Sequence, residues 1–181
     1  SALVKEFIPL LEERFRLIRE PAARLLTGHS SGGWSTLWLQ LTHPNDFGGC
    51  WSSSPDPVDF TAFQKSNLYQ DESMFTDAQG KAQGSYRMPL GDVDEKILMT
   101  VQQEVGMERA LDPDGGSGEQ WDSWAACFGP PGIRQDVPLR AFDPLTGKIN
   151  HNVIEKYWSQ YDIVRLVAKN WKVLAPVFAA K

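Results

Sequence analysis

Apolar residues in this chain first recur at helical spacing. Leu3, Val4, Phe7, Leu10, Leu11 and Leu17 form a broad stripe, with Glu12, Glu13, Arg14 and Arg16 mostly outside it. That pattern predicts a helix over residues 3–18, ended by Pro21. Ala22-Ala23-Arg24-Leu25-Leu26 is then a short apolar run of strand length, and Trp34, Leu37, Trp38 and Leu41 follow at i, i+3, i+4, i+7 of a second helix. His43-Pro44-Asn45-Asp46 breaks the period, and Phe47-Gly48-Gly49-Cys50-Trp51-Ser52 reads as another strand. Strand, helix and strand at this spacing make half of a βαβ unit. Residues 24–28 and 49–53 are therefore expected to lie adjacent and parallel. The loop Ser53-Ser54-Pro55-Asp56-Pro57 would then emerge at the carboxyl edge of the sheet, the edge where ligands gather in such folds.

From residue 58 the alternation stops. The stretch from Asn67 to Gly84 is polar and turn-rich, as for an irregular or hairpin excursion. Ile97, Leu98, Val101, Val105 and Leu111 suggest a helix over 95–111, and Trp121, Trp124, Ala125 and Phe128 a short one closed by Gly129-Pro130-Pro131. Asn150 and Asp162 are placed to cap two more helices. Residues 58–170 are thus expected to form a mostly helical cap or lid, and 171–181 to begin a further core strand. Trp121, Trp124, Trp158 and Trp171 have two readings, core packing of that segment or the wall of a substrate cleft.

Composition narrows the classes. With 181 residues, 41% of them hydrophobic, the chain can bury one core. The net charge of −5, without clustered basic residues, argues against a nucleic-acid partner. No apolar run reaches the roughly 18 residues that cross a bilayer, and the N-terminus lacks a signal-peptide layout. The chain reads as a soluble protein, cytoplasmic or secreted, of undetermined oligomeric state. Cys50 and Cys127 have no metal-ligand spacing and are expected as two buried thiols rather than a disulfide. Asp112-Pro113-Asp114-Gly115-Gly116-Ser117-Gly118 has the acidic look of a calcium loop but lacks the later bidentate Glu, so a plain turn is expected. No cofactor or metal is implied.

The chemistry concentrates at Thr27-Gly28-His29-Ser30-Ser31-Gly32-Gly33, between the first strand and the helix after it. Gly-x-Ser-x-Gly in that setting is a nucleophile elbow, where a sharp turn lifts a serine hydroxyl above the sheet edge. Ser30 is the candidate nucleophile, and the backbone N–H of Ser31, at the helix N-terminus, the candidate oxyanion donor. A β-carbon at Gly28 or at Gly32 is expected to collide with the neighbouring element. His29, Trp51, Pro55, Trp121 and Trp124 are candidate contacts for a small-molecule ester. None of the three histidines is an evident base: His29 points away by the turn's geometry, His43 ends the elbow helix roughly 18 Å from Ser30, and His151 falls in the first turn of a later helix. The expected fold is α/β, a partial α/β-hydrolase fold of parallel strands with a nucleophile elbow, plus the cap segment.

Gly-His-Ser-Ser-Gly-Gly after a short strand, followed by Phe-Gly-Gly-Cys-Trp-Ser-Ser-Ser-Pro, resembles the putative esterase family of α/β-hydrolases, which includes enterochelin esterases, feruloyl esterases and esterase D. Phe7-Ile8-Pro9 resembles the family's helix ahead of the elbow. Gly118-Glu119-Gln120-Trp121-Asp122-Ser123-Trp124 and Asp143-Pro144-Leu145-Thr146-Gly147 resemble a bacterial subgroup of uncharacterised members. The resemblance implies several strands before this helix, with a second oxyanion donor, and an acid and a histidine after two further strands. In this superfamily the order is Ser, acid, His. The chain is accordingly expected to be an internal fragment of a serine carboxylic-ester hydrolase, inactive alone. The alternative is a non-catalytic binding or scaffolding domain that keeps the elbow as packing.

Overall fold

A computed structural model describes residues 1–92, 94–132 and 137–180, which include every candidate site residue named above. The chain divides into two compact units, one made of Ser1–Val58 with Ile163–Lys181 and the other of Asp59–Asp162.

In the first unit a π-helical turn, Leu3–Phe7, runs into α1 (Ile8–Arg14). The helix stops four residues short of the expected end, with Phe15 already extended at φ −122°, ψ 159°. Its apolar stripe is only partly covered: Leu3, Val4 and Leu11 are half-buried but Phe7, Leu10 and Leu17 are exposed, whereas Glu12, expected outside, is buried against the Arg24 guanidinium at 2.6 Å. Pro21–Ala23 is a 3-10 turn, so the first strand, β1 (Leu25–His29), starts three residues later than its apolar run suggests. Then come α2 (Ser31–Thr42) and β2 (Gly49–Ser53). The two strands pair in parallel, from Leu25 opposite Gly49 to His29 opposite Ser53, as the half βαβ unit requires.

Backbone crowding sets how closely α2 lies on these strands. A β-carbon at Gly28 would sit 2.2 Å from the Gly32 carbonyl oxygen, and one at Gly33 2.8 Å from the Ser53 carbonyl oxygen. Gly32 has open space around its missing β-carbon, so the expected collision belongs to Gly33 instead. The reason is rotational: one helical step turns residue 32 toward solvent and residue 33 onto β2. A further core strand was expected over 171–181, but residues 171–179 continue α6 (Ile163–Ala179), which touches α2. Spaced apolar residues and helix-compatible Lys, Leu and Ala outweigh Pro176, which lies in the last turn.

The second unit is not mostly helical. It carries an antiparallel hairpin, β3 (Gly84–Pro89) with β4 (Glu95–Thr100), then α3 (Val101–Leu111), α4 (Gln120–Phe128) and α5 (His151–Lys156), joined by long irregular stretches. The helix expected over 95–111 is divided at Thr100. Its hydroxyl accepts from the Gln103 N–H while the Gln103 side chain accepts from the Thr100 N–H, a capping box that starts a helix there and leaves the preceding residues to the hairpin. Asp112 forms a turn, accepting from the N–H groups of Asp114 and Gly116.

Aromatic rings fill this unit. Trp124 meets Trp121 edge-on at 5.0 Å and Phe63 at 4.9 Å, and Phe128 meets Trp158 at 5.3 Å. Buried carboxylates are woven among them. Glu108 of α3, 1% exposed, accepts from the N–H groups of Trp121 at 2.9 Å and Asp122 at 3.0 Å, so it caps α4, whose own N-cap residue Glu119 makes no side-chain cap bond. Glu104 accepts from the Trp121 indole N–H and the Ser85 hydroxyl, and Asp122 pairs with Arg140.

Three outcomes follow from this packing. Gly28→Ala should cost about 3 kcal/mol or abolish folding, since no flexible side chain can yield, whereas Gly32→Ala should be neutral or stabilising by up to about 1 kcal/mol; urea midpoints compare them. Trp124→Ala should cost about 3–5 kcal/mol. Burial pushes the Glu108 carboxyl above its ordinary value, against the two N–H bonds that favour its charge. An unfolded Glu therefore ionises first, and its contribution to stability falls as pH rises from the ordinary value through the folded one. The stability advantage of wild type over Glu108→Gln should be largest at low pH and shrink through that window; an advantage that grows with pH contradicts the assignment.

Candidate active site

β1 ends where its ladder overruns its register. The Ser30 N–H donates to the Ser53 carbonyl at 3.1 Å, and the Ser30 carbonyl accepts the first helical bond of α2, from the Trp34 N–H at 3.0 Å. Ser30 has to serve strand and helix together, and does so at φ 55°, ψ −123°. A non-glycine residue held there carries about 1–3 kcal/mol of strain. Ser54, in the facing loop, also has positive φ, 40°.

The turn leaves Ser30 half-buried, its Oγ beside the N-terminus of α2. As N-cap residue it makes no side-chain cap bond, so its hydroxyl is not spent on the helix. Ser31 is the first helical residue, and its N–H is among the donors that no intrahelical carbonyl can satisfy. These N–H groups and the helix dipole favour negative charge at this end.

One residue of the loop expected at this edge was given no role of its own from the sequence. Asp56, 9% exposed, accepts from the Ser30 hydroxyl at 3.3 Å through Oδ1 and from the Ser31 hydroxyl at 2.6 Å through Oδ2. Its own N–H donates to the Ser30 carbonyl at 3.3 Å. The signal was present, because Asp56 is the one acid in the loop that β2 delivers to the elbow's edge, but nothing in the pattern separated it from a turn residue.

The other candidates scatter. His29 is exposed, its Nδ1 3.3 Å from the Ser53 hydroxyl. Trp51 is 63% exposed in the middle of β2, opposite Thr27, and Pro55 is exposed in the loop, its Cα filling the space that a β-carbon on Gly33 would need. Trp121 and Trp124 are buried in the aromatic core of the second unit. His43 closes α2 near Asp46 at 3.6 Å, and the His151 Nδ1 faces the Leu68 carbonyl at 3.1 Å. The recorded side-chain partner of the Ser30 hydroxyl is therefore a carboxylate and not an imidazole.

Cys50 lies on β2 opposite Leu26, and burial raises its thiol pKa, which keeps it a poor nucleophile. Cys127 is exposed, contrary to the expectation of two buried thiols, because it falls on the outer side of α4 next to exposed Ala126. Among the described residues no group of three or more His, Cys, Asp or Glu side chains is disposed to hold a metal, and no helix is long and apolar enough to cross a membrane. An open groove of about 490 Å³ in the first unit is lined by Ile8, Leu11, Leu25, Leu26 and Phe47, at the end of β1 away from Ser30.

A 48-residue stretch is 40% identical to the "Uncharacterized protein YbbA" of Bacillus subtilis (strain 168), covering 26% of this chain and 19% of that protein. The chain thus matches about a fifth of the length of that relative. No solved structure matches it. The family described as "Putative esterase" matches residues 1–131, a span that holds the elbow, both parallel strands and the loop bearing Asp56. By that match the chain belongs to the putative esterase family.

Proposed function

We propose that this chain carries the nucleophile of a serine carboxylic-ester hydrolase built on the α/β-hydrolase plan. The observation behind this reading is the backbone of Ser30, held at φ 55° between a parallel strand and a helix N-terminus. The hydroxyl of this strained residue makes no cap bond to the helix, which leaves it available for chemistry.

In that reaction Ser30 Oγ attacks the ester carbonyl carbon while its proton passes to a base. The oxyanion is held by the Ser31 N–H, and collapse of the adduct expels the alcohol, which takes the proton back. Water then attacks the acyl-serine by the same route, releasing the acid and restoring Ser30. A carboxylate alone is too weak a base for a serine hydroxyl, so the reading assigns the base to a histidine, placed by the order Ser, acid, His of this superfamily in the remainder of the protein. A binding domain that keeps the elbow only as packing is the competing reading, and the Ser30 to Asp56 hydrogen bond, in the place where an imidazole is needed, is what favours it.

The two readings part in one assay. The isolated chain should hydrolyse a p-nitrophenyl ester no faster than its Ser30→Ala variant, whereas full-length protein should lose several orders of magnitude in kcat on the same substitution. Mass spectrometry after fluorophosphonate treatment should find one adduct, at Ser30, on the full-length protein. Serine-dependent turnover by the isolated chain would bring one of its own histidines into the site, and full-length activity indifferent to Ser30 would leave the binding reading.

A further inference from the structure

We infer that the side chains of Ser31 and Asp56 act together as a positioning pair, holding the Ser31 N–H in the direction an oxyanion needs. This rests on Ser30 being the nucleophile. The donor belongs to the peptide between Ser30 and Ser31, and that peptide swings with ψ of Ser30, which stands at −123°, outside the helical range. The regular torsions of α2 begin only at Ser31, so the peptide that carries the donor takes its direction from its hydrogen bonds.

Those bonds come from two sides. The Ser30 carbonyl accepts from the Trp34 N–H at 3.0 Å and from the Asp56 N–H at 3.3 Å. The C=O and N–H of a trans peptide point in opposite directions, so fixing the carbonyl aims the N–H, and a carbonyl that accepts hydrogen bonds also polarises the N–H of the same peptide. The Asp56 carboxylate then holds the residue that bears the donor. Its Oδ2 accepts from the Ser31 hydroxyl at 2.6 Å, within the range of a hydroxyl-to-carboxylate bond, whereas the 3.3 Å from the Ser30 hydroxyl to Oδ1 lies beyond the usual span. The firmer grip is on Ser31 and not on the nucleophile. Ser31 is exposed and Asp56 nearly buried, so the anchor lies on the Asp56 side. There the chain is stiff: Asp56 stands between Pro55, whose ring fixes φ, and Pro57, which keeps the residue before it out of the helical region.

The test uses full-length protein, a p-nitrophenyl ester and a trifluoromethyl ketone with the same acyl part. With the ketone, Ser30 Oγ adds to the carbonyl carbon, the serine proton passes to the base and the carbonyl oxygen becomes the oxyanion, so its affinity reads the donor directly. Active sites are counted as the fluorophosphonate adduct at Ser30 by mass spectrometry, which takes any loss of folded protein out of the comparison. Ser31→Ala removes the hydroxyl and keeps the N–H. It should lower kcat about tenfold, part of the roughly 10²–10³ that loss of such a donor costs, with KM within about threefold of wild type. Ketone affinity should weaken by the factor by which kcat/KM falls. Ser31→Thr, which keeps the hydroxyl, should stay within about threefold of wild type on every measure. Asp56→Ala should cost at least about threefold less in the Ser31→Ala background than in wild type, because the two side chains act through one bond. Unchanged kcat and ketone affinity in Ser31→Ala overturn the inference and leave the esterase reading standing. So does a loss that falls on KM alone, or losses at Ser31 and Asp56 that simply multiply. Wild-type turnover indifferent to Ser30→Ala, or no adduct at Ser30 of wild type, removes the nucleophile and the inference together.

Discussion

The site depends on how closely two backbones approach at Gly28. With only 2.2 Å between a would-be β-carbon there and the Gly32 carbonyl oxygen, α2 turns back onto the strand that feeds it, and the residue between them cannot relax into an ordinary conformation. Ser30 takes φ 55° as a result. Side chains around the turn hold the approach: the Gly33 carbonyl accepts from the Thr36 hydroxyl at 2.8 Å and from the Ser52 hydroxyl at 2.9 Å, which binds the first turn of α2 to β2. Each such bond contributes about 1 kcal/mol, together comparable with the strain they oppose. The elbow is thus a local feature paid for by its immediate neighbours.

The same arrangement decides which charges the site tolerates. The helix N-terminus favours an anion, as the oxyanion of ester hydrolysis requires. Asp56 lies at the same turn, its carboxylate accepting from the hydroxyls of Ser30 and Ser31.

The second unit solves a different problem. Three acidic side chains, Glu104, Glu108 and Asp122, are almost fully buried among tryptophans and phenylalanines, where an unpartnered charge would be prohibitive. Each is tied to groups that need an acceptor: the indole of Trp121, the uncapped start of α4 and the Arg140 guanidinium. Glu108 shows the economy of the scheme, since one side chain from α3 both satisfies the backbone of α4 and fixes how those helices pack.

The parallel pair of strands, the helix between them and the strained serine at their junction were legible in the residues, because glycine spacing and local periodicity act over a few positions and leave little choice. The short helices from Trp121 and from Asn150 were legible for the same reason, the second through its cap, with the Val153 N–H donating to Asn150 at 3.2 Å. Tertiary structure decided the rest. Whether the apolar stripe of residues 3–18 is covered depends on what packs against it, and here half of it, Phe7, Leu10 and Leu17, stays exposed while Glu12 turns in to meet Arg24, which no period in the sequence encodes. Residues 95–100 satisfy strand and helix spacing alike, so their state rests on β3, a partner across a turn. The role of Asp56 could not be read from its neighbours, because a carboxylate becomes part of a site only when the fold carries it across 26 residues of chain to the serine it binds.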